Sequence, residues 1–307
     1  MKVAVLVPCY NEELAVVQVV RDFRAALPDA TVFVYDNNSK DRTAEVARDA
    51  GAVVRSEPLQ GKGNVVRRMF ADVEADVYVM VDGDATYHAP SAPAMISKLV
   101  DESLDMVVGT RLHTEEAGAF RRGHEFGNRL LTGTVAWLFG DRFADMLSGY
   151  RVFSRRFAKS FPALSKGFEI ETELAVHALA LRMPVAEVKT PYFARPPGSV
   201  SKLNTYRDGW RILMTIVKLL KEERPLFFFT VIFAVLASLA VVLAVPVVLT
   251  YMETGLVPRF PTAILATGIM ILGFLALASG FILDNVKDGR RETKRLAYLQ
   301  YKAPGAE

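Results

Sequence analysis

Two stretches without a single charged residue dictate most of what this 307-residue chain can become. Residues 226–250 and 262–283 are almost wholly apolar. Each has at least the roughly 20 residues that a helix needs to cross the hydrocarbon core of a bilayer. No water satisfies backbone groups there, so such a run is helical. A buried helical hairpin of a soluble domain is the competing interpretation, but two runs of this length exceed what a small core needs. Lys218, Lys221 and Arg224 precede the first run, and Lys287, Arg290, Arg291, Lys294 and Arg295 follow the second. The loop between them carries only Glu253 and Arg259. The positive-inside bias places both outer flanks, and the N-terminal region with them, in the cytoplasm. This predicts spans over 225–251 and 262–284 and a basic cytoplasmic tail over 285–307. Just before the first span, Trp210, Leu213, Ile216, Val217 and Leu220 interleave at helical spacing with Arg207, Arg211, Lys218 and Lys221. A basic amphipathic helix over 204–224, lying in the membrane interface, is expected. A surface helix of the soluble domain is the plainer alternative.

Residues 1–203 read as an α/β domain. Short β-rich or apolar runs at 3–7, 31–35, 52–55, 77–81 and 106–109 alternate with helical segments, such as 12–27 with Leu14, Val17, Val20, Phe23 and Leu27. Residues 151–153 and 185–188 are further candidate strands, and 194–202 reads as a Pro/Gly/Ser-rich loop. The alternation predicts a mostly parallel sheet with helices on both faces. Ligands of such sheets bind beyond the carboxyl ends of the strands. The polar clusters stand at those ends: Tyr10 to Glu12, Asp36, and Asp82 to Asp84. The opening apolar run is too short for a signal peptide and meets Asn11-Glu12-Glu13 at once. The lone cysteine, Cys9, excludes an internal disulfide and fits a reducing compartment. A net charge of +3 gives no support for nucleic-acid binding.

Asp82-Gly83-Asp84 follows the apolar strand 78–81. Carboxylates two apart at a strand end can reach one hard divalent cation, and Mg²⁺ or Mn²⁺ prefers such oxygens. A cation there would neutralise a diphosphate leaving group. Alone, the tripeptide is also an ordinary turn sequence.

The ordered set Val7-Pro8-Cys9-Tyr10-Asn11-Glu12-Glu13, Tyr35-Asp36-Asn37-Asn38-Ser39-Lys40-Asp41, Gly61-Lys62-Gly63 and Asp82-Gly83-Asp84 resembles the family 2 glycosyltransferases with a GT-A fold. Gly109-Thr110-Arg111, Ser148-Gly149-Tyr150-Arg151, Gly167-Phe168 with Glu173, and Arg195 with Ser201-Lys202 are similar to the polyprenyl-phosphate sugar transferases. That group includes dolichyl-phosphate mannose synthase and bactoprenol glucosyltransferase.

The resemblance implies a GT-A nucleotide-diphospho-sugar transferase. It would perform inverting, metal-dependent transfer of a hexose from a UDP- or GDP-sugar to a polyprenyl phosphate or other lipid acceptor. The place would be the cytoplasmic face of a membrane, in the pattern of a bacterial inner membrane, and homo-oligomers are admitted. Pro8, Tyr10 and Glu12 would line the base and ribose, Asp36 would hold one of them, and Lys62 would lie nearby. Asp82, Gly83 and Asp84 would meet the diphosphate, with Asp82 and Asp84 on the metal. The family pattern places a Gln two residues after the second Asp; Thr86 stands here, with His88 a candidate replacement. Asp84, Glu173 and Arg111 would be catalytic. Arg121, Arg122, Arg195, Ser201 and Lys202 would receive the acceptor phosphate, since guanidinium forks match phosphate oxygens. His124 stands where several relatives carry a serine. A phosphate acceptor is already ionised and needs mainly positioning and charge stabilisation. A saccharide or other lipid hydroxyl would need a base, drawn from Glu169, Glu171 or Glu173. An inactive membrane scaffold with the same fold is a third reading, and the intact Asp82/Asp84 pair speaks against it.

Overall fold

The computed structural model describes residues 1–113, 133, 135, 137, 143, 145–167, 169–196 and 205–305, of which His113 and 205–213 by backbone alone. Its elements in chain order are β1 (Val3–Cys9), α1 (Val16–Ala26), β2 (Thr31–Asp36), α2 (Thr43–Asp49), β3 (Val53–Ser56), α3 (Lys62–Asp72), β4 (Val77–Met80), α4 (Ala92–Asp101), β5 (Met106–His113), β6 (Arg151–Ser154), α5 (Arg155–Ser160), α6 (Ile170–Ala180), β7 (Val185–Tyr192), α7 (Thr205–Glu223), α8 (Pro225–Thr254) and α9 (Phe260–Leu299). They form two compact units, residues 1–210 with 293–307, and residues 211–292.

In the first unit, Ala4, Val5, Leu6 and Val7 of β1 have no exposed surface. A strand apolar on both faces belongs inside a sheet covered on both sides. Accordingly β1 lies between β2 and β4 in a seven-stranded sheet of order β3-β2-β1-β4-β6-β5-β7. The helix α1 buries Val16, Val19, Val20 and Phe23 against this sheet, and Met95 and Leu99 of α4 join the same core. Each such side chain contributes about 1.5–3 kcal/mol on leaving water.

All pairings are parallel except those of β6, which runs antiparallel to both β4 and β5. The reversal has a consequence for the site. Arg151 opposes Met80, so the residues just before β6 arrive beside the carboxyl end of β4.

The tail also belongs to this unit. The Tyr298 hydroxyl donates to Asp105 (2.9 Å), and its ring lies 4.8 Å from the Arg156 guanidinium. Asp105 is wholly buried and also takes the Ser154 hydroxyl and Arg156.

The second unit is built on α8 and α9, both long and apolar enough to cross a membrane. Only 11% and 17% of their most apolar windows are buried, the reverse of soluble core helices. The helix α9 runs on to Leu299, beyond the span expected at 262–284. Its charged continuation holds no proline and closes local pairs such as Lys287–Asp284 (2.6 Å), so nothing breaks it at the end of the apolar run. Gly273 and Gly280 let the two helices approach closely: a Cβ on Gly280 would lie 2.9 Å from that of Phe229. Gly280→Leu should therefore cost about 1–3 kcal/mol, read as a lower unfolding temperature in detergent. Gly268→Leu, at a position with open space around it, should leave that temperature unchanged.

Candidate active site

The first corner of the site is assembled from two adjacent strand ends. Cys9 and Asp36 are register partners at the ends of β1 and β2. The loops that follow are laced together: the Asn11 N–H donates to Ser39 Oγ (2.9 Å), the Lys40 N–H to Asn11 Oδ1 (2.7 Å), and the Glu12 N–H to Thr43 Oγ1 (2.8 Å). Asn11 and Asn38 take left-handed backbone, φ +52° and +61°, which Asn tolerates better than most side chains. Pro8, Tyr10 and Glu12 thus stand beside Asp36. Asp36 is 9% exposed, and its Oδ1 is buried with no hydrogen-bond partner among the described residues. A buried acceptor in that state awaits a donor. Asn37, which sequence reasoning passed over, ties this corner to the next. Its amide donates to the Glu57 and Leu59 carbonyls and accepts the Gly61 N–H (2.6 Å).

The Gly61-Lys62-Gly63 motif has a steric cause. Gly61 has φ +128°, and a Cβ there would strike the Lys166 carbonyl oxygen. A Cβ on Gly63 would strike that of Ser165. The first turn of α3 is thereby pressed against residues 165–166, and Lys62 is aimed inward. Its Nζ lies 2.5 Å from Asp82 Oδ1 and 2.6 Å from Glu171 Oε1, and its side chain is 8% exposed. Burial alone would lower the ammonium's pKa, but Asp82 and Glu171 outweigh it and raise it.

Asp82, Gly83 and Asp84 follow β4 with no room to spare. Ala85 takes left-handed backbone, φ +56°, which is strained for a residue with a Cβ. A Cβ on Gly83 would lie 2.5 Å from Cys9 Sγ, and one on Gly149 would overlap the Asp82 carboxylate. Asp84 accepts from the Thr86 hydroxyl (2.7 Å) and pairs with Arg195 Nη2 (2.8 Å). Burial first, then the charge of Asp82, raises its pKa. Thr86 thus fills the Gln position by orienting Asp84, while His88 Nδ1 is engaged with Ser91 Oγ (2.9 Å). Among the described residues no group of three His, Cys, Asp or Glu side chains converges for a metal. Two hard carboxylates suit an Mg²⁺- or Mn²⁺-like ion that completes its shell with phosphate and water.

On the far side of the strand end, β7 is stitched to this loop. The Phe193 N–H donates to the Thr86 carbonyl (2.9 Å), and Tyr87 bridges Tyr192. Arg111, at the end of β5, forks onto Asp145 with two bonds of 2.7 Å. Burial would lower the Arg111 pKa, but Asp145 prevails and raises it; Arg111 in turn holds the Asp145 carboxyl low against burial. Arg151, completely buried, donates to the carbonyls of Ser148 (2.9 Å) and Met146. Asp145 and Arg151 are site-supporting residues that sequence reasoning missed as such. Their only signal is their place in and just before Ser148-Gly149-Tyr150-Arg151.

Glu173 is placed elsewhere: it accepts the N–H groups of Leu164 (2.9 Å) and Ser165 (2.7 Å), anchoring the loop that packs on Gly61 and Gly63. The acid of α6 that enters the cluster is Glu171. Arg121, Arg122, His124, Ser201 and Lys202 lie outside the described residues.

Residues 4–161 match the family described as Glycosyl transferase family 2. Glycosyltransferase AglJ of Haloferax volcanii is 39% identical over 228 residues, covering 74% of this chain and 75% of that protein. The dolichyl-phosphate hexose transferase of the same organism is 29% identical over 221 residues, 72% of this chain and 95% of that one. The crystal structure of Mycobacterium tuberculosis glucosyl-3-phosphoglycerate synthase, in complex with Mg²⁺ and uridine-diphosphate, shares the fold. Its TM-score is 0.59 at 24% identity, over 72% of this chain and 78% of that one. The family match runs from β1 to α5 and so takes in every strand end on which the Asp36 corner and the carboxylate pair are built; the chain is a glycosyltransferase and belongs to family 2.

Proposed function

We propose that this enzyme transfers a hexose from a UDP- or GDP-sugar to the phosphate of a polyprenyl phosphate, at the cytoplasmic surface of a membrane. The observation that carries this reading is the state of three acids, Glu171, Glu173 and Asp145. Glu171 is tied to Lys62, Glu173 to backbone N–H groups, and Asp145 to Arg111. None of these three is poised to take a proton from a hydroxyl. A phosphate acceptor, ionised before it arrives, asks for no such base. Relatives named as a dolichyl-phosphate hexose transferase and an undecaprenyl-phosphate 4-deoxy-4-formamido-L-arabinose transferase agree with that acceptor class.

In this reading Asp36 and Glu12 meet the base and ribose, and the bare Asp36 Oδ1 receives a donor from them. Asp82 and Asp84 hold a divalent cation, which supplies neutralisation of the departing diphosphate. Lys62 adds positive charge on the α6 side and Arg195 on the β7 side. Arg111, its fork taken by Asp145, supports the 145–151 loop instead of gripping the acceptor. Residues 1–203 are the GT-A domain, 204–224 an interfacial helix, and α8 and α9 the spans, with Arg195, Ser201 and Lys202 the candidates to receive the acceptor phosphate.

The test is direct. Purified protein in nanodiscs is supplied with undecaprenyl phosphate, Mn²⁺ and labelled UDP- and GDP-hexoses in turn. A chloroform-extractable, acid-labile product with one donor is expected. Failure with every donor would overturn the acceptor assignment, and label passing to a saccharide or a lipid hydroxyl would replace it with a base-dependent reaction.

A further inference from the structure

We propose that Lys62 and Arg195 are built-in counter-ions of the carboxylate pair, so that the pair takes up a divalent cation together with a nucleoside diphosphate and resists the bare ion. This rests on the reading of Asp82 and Asp84 as the metal and diphosphate site.

Each carboxylate of the pair already holds one cation from a distant part of the chain. Lys62 is 2.5 Å from Asp82, and Arg195 is 2.8 Å from Asp84. Two single positive charges match the charge of one Mg²⁺ or Mn²⁺. A bare divalent ion entering the site must displace both, and it offers neither of them a new anion. The cost is unequal. The Lys62 side chain is 8% exposed, and an ammonium buried between two carboxylates that loses Asp82 keeps only Glu171 to offset its desolvation. The Arg195 side chain is 33% exposed and can turn toward water.

A nucleoside diphosphate changes the balance. Its phosphate oxygens bring negative charge into the same space, so the displaced cations meet new partners as the metal takes the carboxylates. The protein is prepared for Lys62 to make this exchange. Glu171 Oε1 already lies 2.6 Å from Nζ, and the Glu171 side chain is 11% exposed. When Lys62 leaves Asp82 it keeps this second carboxylate as an anchor and need only pivot. Glu171 is thus a positioning residue for Lys62. Because Gly61 and Gly63 press the helix start against Ser165 and Lys166, the pivot is confined to the side chain.

The experiment reads metal uptake directly and needs no turnover. Free Mn²⁺ is titrated against the whole protein by the loss of its aqueous paramagnetic resonance signal, with and without UDP or GDP. In the wild type, nucleotide should tighten Mn²⁺ binding by about tenfold or more, and Mn²⁺ should tighten nucleotide binding by the same factor. Lys62→Gln should tighten bare Mn²⁺ about tenfold, because one like charge is removed within a few ångström of the ion. Arg195→Gln, at the more exposed residue, should act in the same direction by less and guards against misfolding of the first variant. Bare Mn²⁺ binding the wild type as tightly as in the presence of nucleotide would overturn the proposal, as would failure of both variants to tighten it. Mn²⁺ retention that survives Asp84→Asn, or no uptake under any condition, would instead sink the underlying assignment of the pair.

Discussion

Asp84→Asn should lower sugar transfer by about 10²–10³-fold and leave the protein at least as stable as before. The two halves of this result come from different features. Asparagine keeps the shape and an oxygen that can accept from the Thr86 hydroxyl, now 2.7 Å from Oδ1. It removes the charge that a metal and diphosphate require. The stability half follows from linkage. Burial and the neighbouring Asp82 raise the folded pKa of Asp84, so ionisation is disfavoured in the fold relative to the unfolded chain. Such an acid favours the fold below its unfolded pKa, and that advantage is lost as pH rises through the folded one. At neutral pH Asp84 is therefore a burden that asparagine lifts. Arg195, released from Asp84, is exposed enough to be hydrated. Lipid-linked product and unfolding temperature, measured on one preparation, check both halves. Near-normal transfer would remove Asp84 from the chemistry.

Gly149→Ala is the second large effect, at a residue that carries no functional group. Its Cβ would overlap the Asp82 carboxylate. The backbone cannot withdraw, because it is held on three sides. The Gly149 N–H donates to the Tyr87 hydroxyl (2.9 Å), the Ser148 hydroxyl donates to the Gly109 carbonyl (2.6 Å), and Arg151 grips the Ser148 carbonyl. Asp82 must rotate instead, which parts it from Lys62. A displacement of about 1 Å in a catalytic constellation can lower turnover about 10²-fold. The stability loss should stay near 1–3 kcal/mol, as for other overpacked positions. The expected signature is a folded protein with weakened Mn²⁺–nucleotide binding and low kcat. Unaltered kinetics would mean that Asp82 tolerates repositioning.

How legible this was depends on what sets each feature. The central strands announce themselves because β1 and β4 are buried on both faces and so read as unbroken apolar runs. The acids at their ends are adjacent to those runs in sequence, so Asp36, Asp82 and Asp84 follow from the strands. The reversed direction of β6 does not follow, since strand periodicity is blind to direction. With it, the approach of Gly149 to Asp82 was hidden. The choice between Glu171 and Glu173 was hidden for another reason. The helix α6 buries Ile170, Glu171, Thr172, Leu174 and Ala175 together, so it has no single polar face from which to read which acid points to the site. The matching of Glu173 to a family position selected the acid that anchors the loop, one turn away in role if not in sequence. Asp145 gains its partner through a contact 34 residues apart, which local pattern cannot encode.

The clasp at Asp105 changes what counts as the catalytic unit. Residues 293–307 return to the same body as residues 1–210, and Tyr298 completes the shell of a carboxylate with no access to solvent. In the order of the chain, the helical pair is an insertion within that unit and not an appendage to its end. A soluble version cut at residue 203 would keep every residue of the carboxylate cluster yet strip the lid from Asp105 and bare the Arg156 guanidinium on which the Tyr298 ring lies. A water-soluble enzyme is better sought by excising the insertion and rejoining its two borders, so that the last fifteen residues travel with the domain they close.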